Sequence, residues 1–153
     1  MRIEARLQEL GIELPPSPAP IANYVRAVQT GNLLFLAGHG PTRDGAPVYV
    51  GQVPTDVSIE DGYDAARVTA LNLLASAKAA LGDLDRITRI VKVLGMVNSA
   101  PGFGEQPKVI NGFSDLIVAI FGDEKGKHAR SAVGLAGLPN GIPVEIEMIV
   151  EVE

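Results

Sequence analysis

The stretch His128-Ala129-Arg130-Ser131-Ala132-Val133-Gly134-Leu135-Ala136-Gly137-Leu138-Pro139-Asn140-Gly141-Ile142-Pro143-Val144-Glu145-Ile146-Glu147 reads as a strand, a turn region at Pro-Asn-Gly, and a second strand. One arginine opens the first strand, and two glutamates occupy alternate positions of the second. A guanidinium is always charged and presents a planar fork that suits a carboxylate, so Arg130 at a strand end in an apolar segment is a candidate clamp. The alternative is an ordinary surface ion pair. Glu145 and Glu147 share one face of their strand, because strand side chains alternate.

Upstream of this unit, two segments rich in alternating apolar residues set the remaining architecture. Ser58 to Leu81 predicts a helix: Ile59, Tyr63, Ala66, Ala70, Leu73, Leu74, Ala77 and Leu81 recur at helical spacing, with Ser58 and Asp61 as a start signal and Gly82 as a stop. The alanines on that stripe imply close approach to a sheet. Gln106 to Ile120 predicts a second helix with Ile110, Phe113, Ile117 and Ile120 as its stripe, Pro107 in the first turn and Gly122 after the end. Between them Ile87 to Val97 reads as a strand with Val91, Val93 and Val97 on one face. Tyr24 to Val28 and Leu33 to Ala37 read as a hairpin around Thr30-Gly31-Asn32, and Pro47 to Val50 as a short strand. The last strands are Ala129 to Leu135 and Pro143 to Val152. The order is βββαβαββ, an α+β domain with two helices on one face of a mixed sheet. Apolar positions on both faces of the last strand then require cover from a partner chain.

Residues 1–20 read as a separate N-terminal arm, and 21–153 as the single domain. Within the arm Ile3 to Leu10 has helical spacing, with Leu7 and Leu10 on one side, until Gly11 and then Pro15, Pro16, Pro18 and Pro20 stop it. Either a loosely held segment or one packed on the domain surface is compatible with this pattern.

At 153 residues the chain is one domain by length. Cysteine is absent, which removes thiolate chemistry and disulfides and fits a reducing, cytoplasmic setting. No stretch has the length of a membrane span. A net charge of −5 argues against broad electrostatic binding of nucleic acid. The two histidines lack ligand spacing, so no metal site is expected. No Walker motif, nucleophile elbow or dinucleotide fingerprint is present.

The segments Ala129-Arg130-Ser131-Ala132-Val133-Gly134-Leu135 and Val144-Glu145-Ile146-Glu147, with Asn23-Tyr24-Val25 and Thr30-Gly31-Asn32-Leu33-Leu34-Phe35-Leu36-Ala37-Gly38, resemble the RidA/YjgF family of enamine/imine deaminases from about residue 20 to the C-terminus. Ala37-Gly38-His39-Gly40-Pro41 and the longer N-terminus resemble a sister branch. The resemblance implies a chorismate-mutase-like fold, a homotrimer with sites in the clefts between subunits, and hydrolysis of 2-aminoacrylate-type substrates to 2-keto acids without a cofactor. It implies Arg130 as the holder of the substrate carboxylate and Glu145 as the residue handling water or a proton. Tyr24, Gly38 and Asn111 match family pocket positions. Each also has a plain structural reading, as half-buried packing, a strand-end glycine and an exposed helical residue. Ala132 stands where the family often has a cysteine, removing a pocket thiol. His39 is specific to the branch and suits either acid/base chemistry near neutral pH or a subunit contact. Lys125, Lys127, His128 and Arg130 form a local positive cluster, either a steering field for an anion or a solvated loop. Two other functions compete: a metabolite-binding or regulatory trimer without turnover, and a ribonuclease or translation inhibitor, against which the acidic balance counts.

Overall fold

A computed structural model describes residues 2–17 and 23–153. Its central sheet has five strands in the order β1-β2-β7-β5-β6: β1 (Ala27–Thr30), β2 (Leu33–His39), β5 (Ile87–Asn98), β6 (Ala129–Leu135) and β7 (Val144–Val152). All neighbours are antiparallel except β5 and β6, which run parallel. Such a pair requires a crossover, and α3 (Gln106–Gly126) supplies it. Two short strands, β3 (Thr42–Arg43) and β4 (Ala46–Pro47), form a separate ribbon before α2 (Ile59–Leu81).

Helices α2 and α3 cover one face of the sheet, as the spacing predicts. Ser58 caps α2, its hydroxyl accepting from the Asp61 amide at 3.0 Å. The alanine stripe is buried at Ala65, Ala66, Ala70 and Ala77. The two helices meet tightly at Gly112, where a Cβ would overlap the Tyr63 backbone carbonyl. Val144, Ile146, Met148, Val150 and Val152 of β7 point into the core beneath them.

Several sequence expectations shift. The first strand starts at Ala27, later than Tyr24, and the expected strand at Pro47 to Val50 reduces to Ala46–Pro47. Val91 does not share a face with Val93 and Val97: register shifts in the β5–β7 ladder lie between Ile87 and Arg89 and between Ile90 and Lys92. Ile90 takes the core position and Val91 is 36% exposed. A bulge inverts the alternation that follows it. Helix α3 continues to Gly126, although Gly122 has φ 83° and ψ 171° and breaks its regular backbone. In α1 (Ile3–Glu9), Ile3 and Leu7 enter the core, one helical turn apart, whereas Leu10 is 37% exposed. The amide of Ile3 donates to Asp85. These contacts seat α1 against the domain; Pro18 and Pro20 lie outside the described residues.

The opposite face of the sheet carries Val28, Phe35, Leu94 and Ile149 beside Lys92, Ser131 and Glu147, lining an open concavity of about 700 Å³.

Candidate functional site

Apart from the buried His39, which faces α2, the residues singled out in the sequence fall into two groups on different sides of the sheet. Arg130 lies opposite Val93, and Val93 opposite Met148; both partners are buried on the helix side. Arg130 therefore leaves the edge strand β6 towards α3. Its Nη1 donates to Asn111 Oδ1 at 2.9 Å and to Ser114 Oγ at 3.1 Å. Asn111 and Ser114 lie one turn apart on α3 and so share a face.

These two bonds use both Nη1 hydrogens. Among the described residues the remaining Nε and Nη2 hydrogens have no protein acceptor, and Arg130 has no ion pair. The Nε/Nη2 edge is the planar fork that fits a carboxylate with two parallel bonds. Ala132 follows on the same face and packs against the core.

Behind Ser114 stands His128. Its Nδ1 lies 2.7 Å from the Gly126 carbonyl and its Nε2 2.9 Å from Ser114 Oγ. The ring meets Phe113 edge-on, with centroids 5.8 Å apart. Burial lowers the His128 pKa, with the Arg130 charge adding to the effect. Lys127 pairs with Asp123 at 2.9 Å on the surface. The expected positive cluster thus divides into an exposed Lys125, a solvated Lys127 ion pair, a histidine held towards its neutral form, and the buttressed arginine. Ser114 escaped the sequence reading, and His128 entered it only as a charge. The signals available were the Asn111–Ser114 spacing and the alternate positions of His128 and Arg130.

The second group surrounds a cleft of about 300 Å³ lined by Tyr24, Gly38, His39, Asn140, Ile142 and Glu145, among others. Glu145 alternates with the buried Val144 and Ile146 and so faces away from the helices. Its carboxylate lies directly over Gly38, where any Cβ would overlap it. Gly38 is required by this close approach. Among the described residues Glu145 has no cationic partner. Burial, and secondarily the Glu147 charge, raises its pKa. Glu147 lies further along the same face, in the apolar concavity. Tyr24 is 40% exposed at the rim, with the Arg26 guanidinium 5.8 Å from its ring centroid.

His39 does not suit the expected acid/base role or a subunit contact. The residue is 2% exposed, with Nδ1 2.6 Å from the Ala37 carbonyl and Nε2 2.7 Å from Ser76 Oγ on α2. Desolvation lowers its pKa to about 4, leaving the ring neutral near pH 7.

Arg130 and Glu145 are not brought together within one chain. They stand on opposite faces of the sheet, with β5 between their strands. Among the described residues no three potential metal-ligating side chains converge, and no helix is long and apolar enough to cross a membrane.

A family model described as "YjgF/chorismate mutase-like, putative endoribonuclease" matches residues 4–142. The chain is 47% identical over 150 residues to protein TCP17 of Trypanosoma cruzi, covering 98% of this chain and 94% of that one. It is 30% identical over 134 residues to the 2-iminobutanoate/2-iminopropanoate deaminase of Escherichia coli K12, covering 87% and 90% respectively. The crystal structure of a protein from Shewanella oneidensis, described as "a putative endoribonuclease", superposes with a TM-score of 0.94 at 34% identity, covering 99% of this chain and 100% of that one.

Proposed function

The chain belongs to the YjgF/chorismate mutase-like family, and from that premise we propose that it hydrolyses small 2-imino carboxylates to 2-oxo acids and ammonia. The observation that carries this reading is the Arg130 guanidinium, buttressed on Nη1 by Asn111 and Ser114, with its Nε/Nη2 edge unengaged among the described residues. A relative with 30% identity bears the name of a deaminase acting on such substrates.

The chemistry needs little machinery. The imine carbon is already electrophilic, so holding the carboxylate and positioning a water supplies most of the catalysis. Water adds to the carbon, and the C=N electron pair moves to nitrogen, which takes a proton. The resulting carbinolamine then breaks its C–N bond, releasing ammonia as the hydroxyl proton leaves. Glu145 is the group assigned to these transfers. Its raised pKa brings the carboxyl nearer to the operating pH, as a proton shuttle requires.

Because Arg130 and Glu145 diverge in one chain, the reading requires a second copy whose Arg130 enters the Tyr24–Gly38–Glu145 cleft. The apolar sheet face with Val28 at 53% and Phe35 at 41% exposure supports such an assembly. A closed ring of three copies satisfies every half-site, and light scattering is expected to give three chains. A monomer at micromolar concentration would remove the shared site.

The deciding assay supplies 2-iminobutanoate, formed in situ from threonine by a dehydratase, and follows its decay in the presence of wild type and Arg130→Ala. Accelerated decay by wild type alone supports the proposal. Binding of 2-oxobutanoate without acceleration would favour a carboxylate-binding protein instead. That second reading draws on the completeness of the Arg130 clamp within one chain while Glu145 lies elsewhere.

A further inference from the structure

We infer that His128, acting through Ser114, is a positioning residue that sets the orientation of the Arg130 clamp. The inference rests on the proposed role of Arg130 in holding a substrate carboxylate.

With the ring neutral, the form its burial favours, every hydrogen-bond role in this chain of groups follows from chemistry. The Gly126 carbonyl can only accept, so the proton of the neutral ring sits on His128 Nδ1, 2.7 Å away. His128 Nε2 is then an acceptor, and the Ser114 hydroxyl 2.9 Å from it must donate. With its one proton committed, Ser114 turns lone pairs towards Arg130 Nη1, which has only donors to offer, at 3.1 Å. Asn111 Oδ1 takes the other Nη1 hydrogen at 2.9 Å. A guanidinium is planar, so fixing two bonds at Nη1 also fixes the plane and direction of the Nε/Nη2 edge. Phe113 holds the imidazole edge-on, which limits the ring's own rotation. Without the ring nitrogen the Ser114 hydroxyl can rotate and present its proton towards the arginine, and one anchor of the fork is lost.

A Ser–His pair also suggests a nucleophile and its base. Two observations count against that role. Ser114 already accepts from a cation, which withdraws density from its oxygen. The same arrangement recurs at His39 and Ser76, where both side chains are buried. The pair is a way of orienting a hydroxyl in this fold.

The test titrates 2-oxobutanoate by calorimetry and measures 2-iminobutanoate hydrolysis in wild type, Arg130→Lys, Ser114→Ala, His128→Leu and His128→Gln. Glutamine can accept from Ser114 and donate to Gly126, so it is the conservative replacement. Ser114→Ala and His128→Leu are expected to weaken binding and raise KM about tenfold, the scale of one charge-assisted hydrogen bond. Their kcat should stay within about twofold, because the loss lies in binding. His128→Gln should recover most of the affinity. Unchanged affinity in His128→Leu overturns the inference while leaving the clamp intact. Equal losses in His128→Leu and His128→Gln, following a common drop in melting temperature, also overturn it, because packing would then be the cause. Insensitivity of wild-type binding to Arg130→Lys overturns the clamp reading itself, and this inference with it.

Discussion

The two halves of the candidate site are built on the same local device and put it to different use. In each, a histidine engages the carbonyl two residues before it through Nδ1 and a helix serine through Nε2. At His39 the serine, Ser76, lies in the interior of α2 and is 2% exposed. The polar chain continues to Ser17 Oγ, 3.4 Å beyond, and ties sheet to helix. At His128 the serine, Ser114, faces the edge strand and passes its lone pairs to a guanidinium. What the serine meets next decides whether the motif is a bolt in the core or a rest for a reactive side chain. Neither histidine reveals this by its own environment, since both hold a lowered pKa for the same main reason, burial.

The comparison breaks most readily at Glu145, the chemical centre of the half that His39 supports. Glu145→Gln keeps the shape of the side chain and removes its basicity. Turnover should fall about 10²–10⁴-fold, the usual contribution of a positioned acid or base. Affinity for 2-oxobutanoate should stay near wild type, and Glu147→Gln should be the milder change. Steady-state kinetics beside calorimetry separates the two; a larger loss at Glu147 would mean that the wrong carboxylate has been assigned.

A second test sharpens the core role of His39. Its folded pKa, about 4, lies below the ordinary value of 6.5. Between those values the unfolded chain binds more protons, so stability is fully present above about pH 6.5 and declines as pH falls towards 4. The decline is on the order of 3 kcal/mol for a shift of this size. Urea unfolding across that range should show the slope in wild type and lose most of it in His39→Gln. A slope that survives the substitution would assign it to other groups.

The smallest effect is the most direct contrast. Ser76→Ala leaves the buried His39 Nε2 without its donor and should cost about 1–3 kcal/mol of stability, read from the shift in the unfolding midpoint. Ser114→Ala, at a half-exposed position, should leave the midpoint nearly unchanged. Similar midpoints for the two variants would dissolve the distinction drawn between the pairs.

The sequence carried the fold well where one rule acts alone. Helix α2 follows from its spacing and its Ser58 cap, and β6 and β7 from their alternation. It failed at Val91 because a bulge depends on pairing with a strand more than fifty residues away. Of the site, Arg130 and Glu145 were legible as residue types in a motif, but their divergence was not. Which face each occupies is fixed by the register of β7 against β5 and of β5 against β6. His39 read as a functional histidine because nothing in a sequence tells that Ser76, on a distant helix, will take its second nitrogen. Ser114 was missed for the converse reason: a serine on a helix has meaning only once the edge strand returns beside it.

That return has a kinetic consequence. The contacts from Arg130 to Asn111 and Ser114 span 19 and 16 residues and close within the β5–α3–β6 segment. Gly38 and Glu145 are about a hundred residues apart and meet only when the two ends of the chain pair through β2 and β7. Loop closure costs entropy that grows with the logarithm of the span, and contacts of low sequence separation form with the least of it. The cationic half of the site is therefore a sequence-local construction, able to acquire its geometry before the acidic half exists, and insertions between Gly38 and Asn111 lengthen the closure of only one of them.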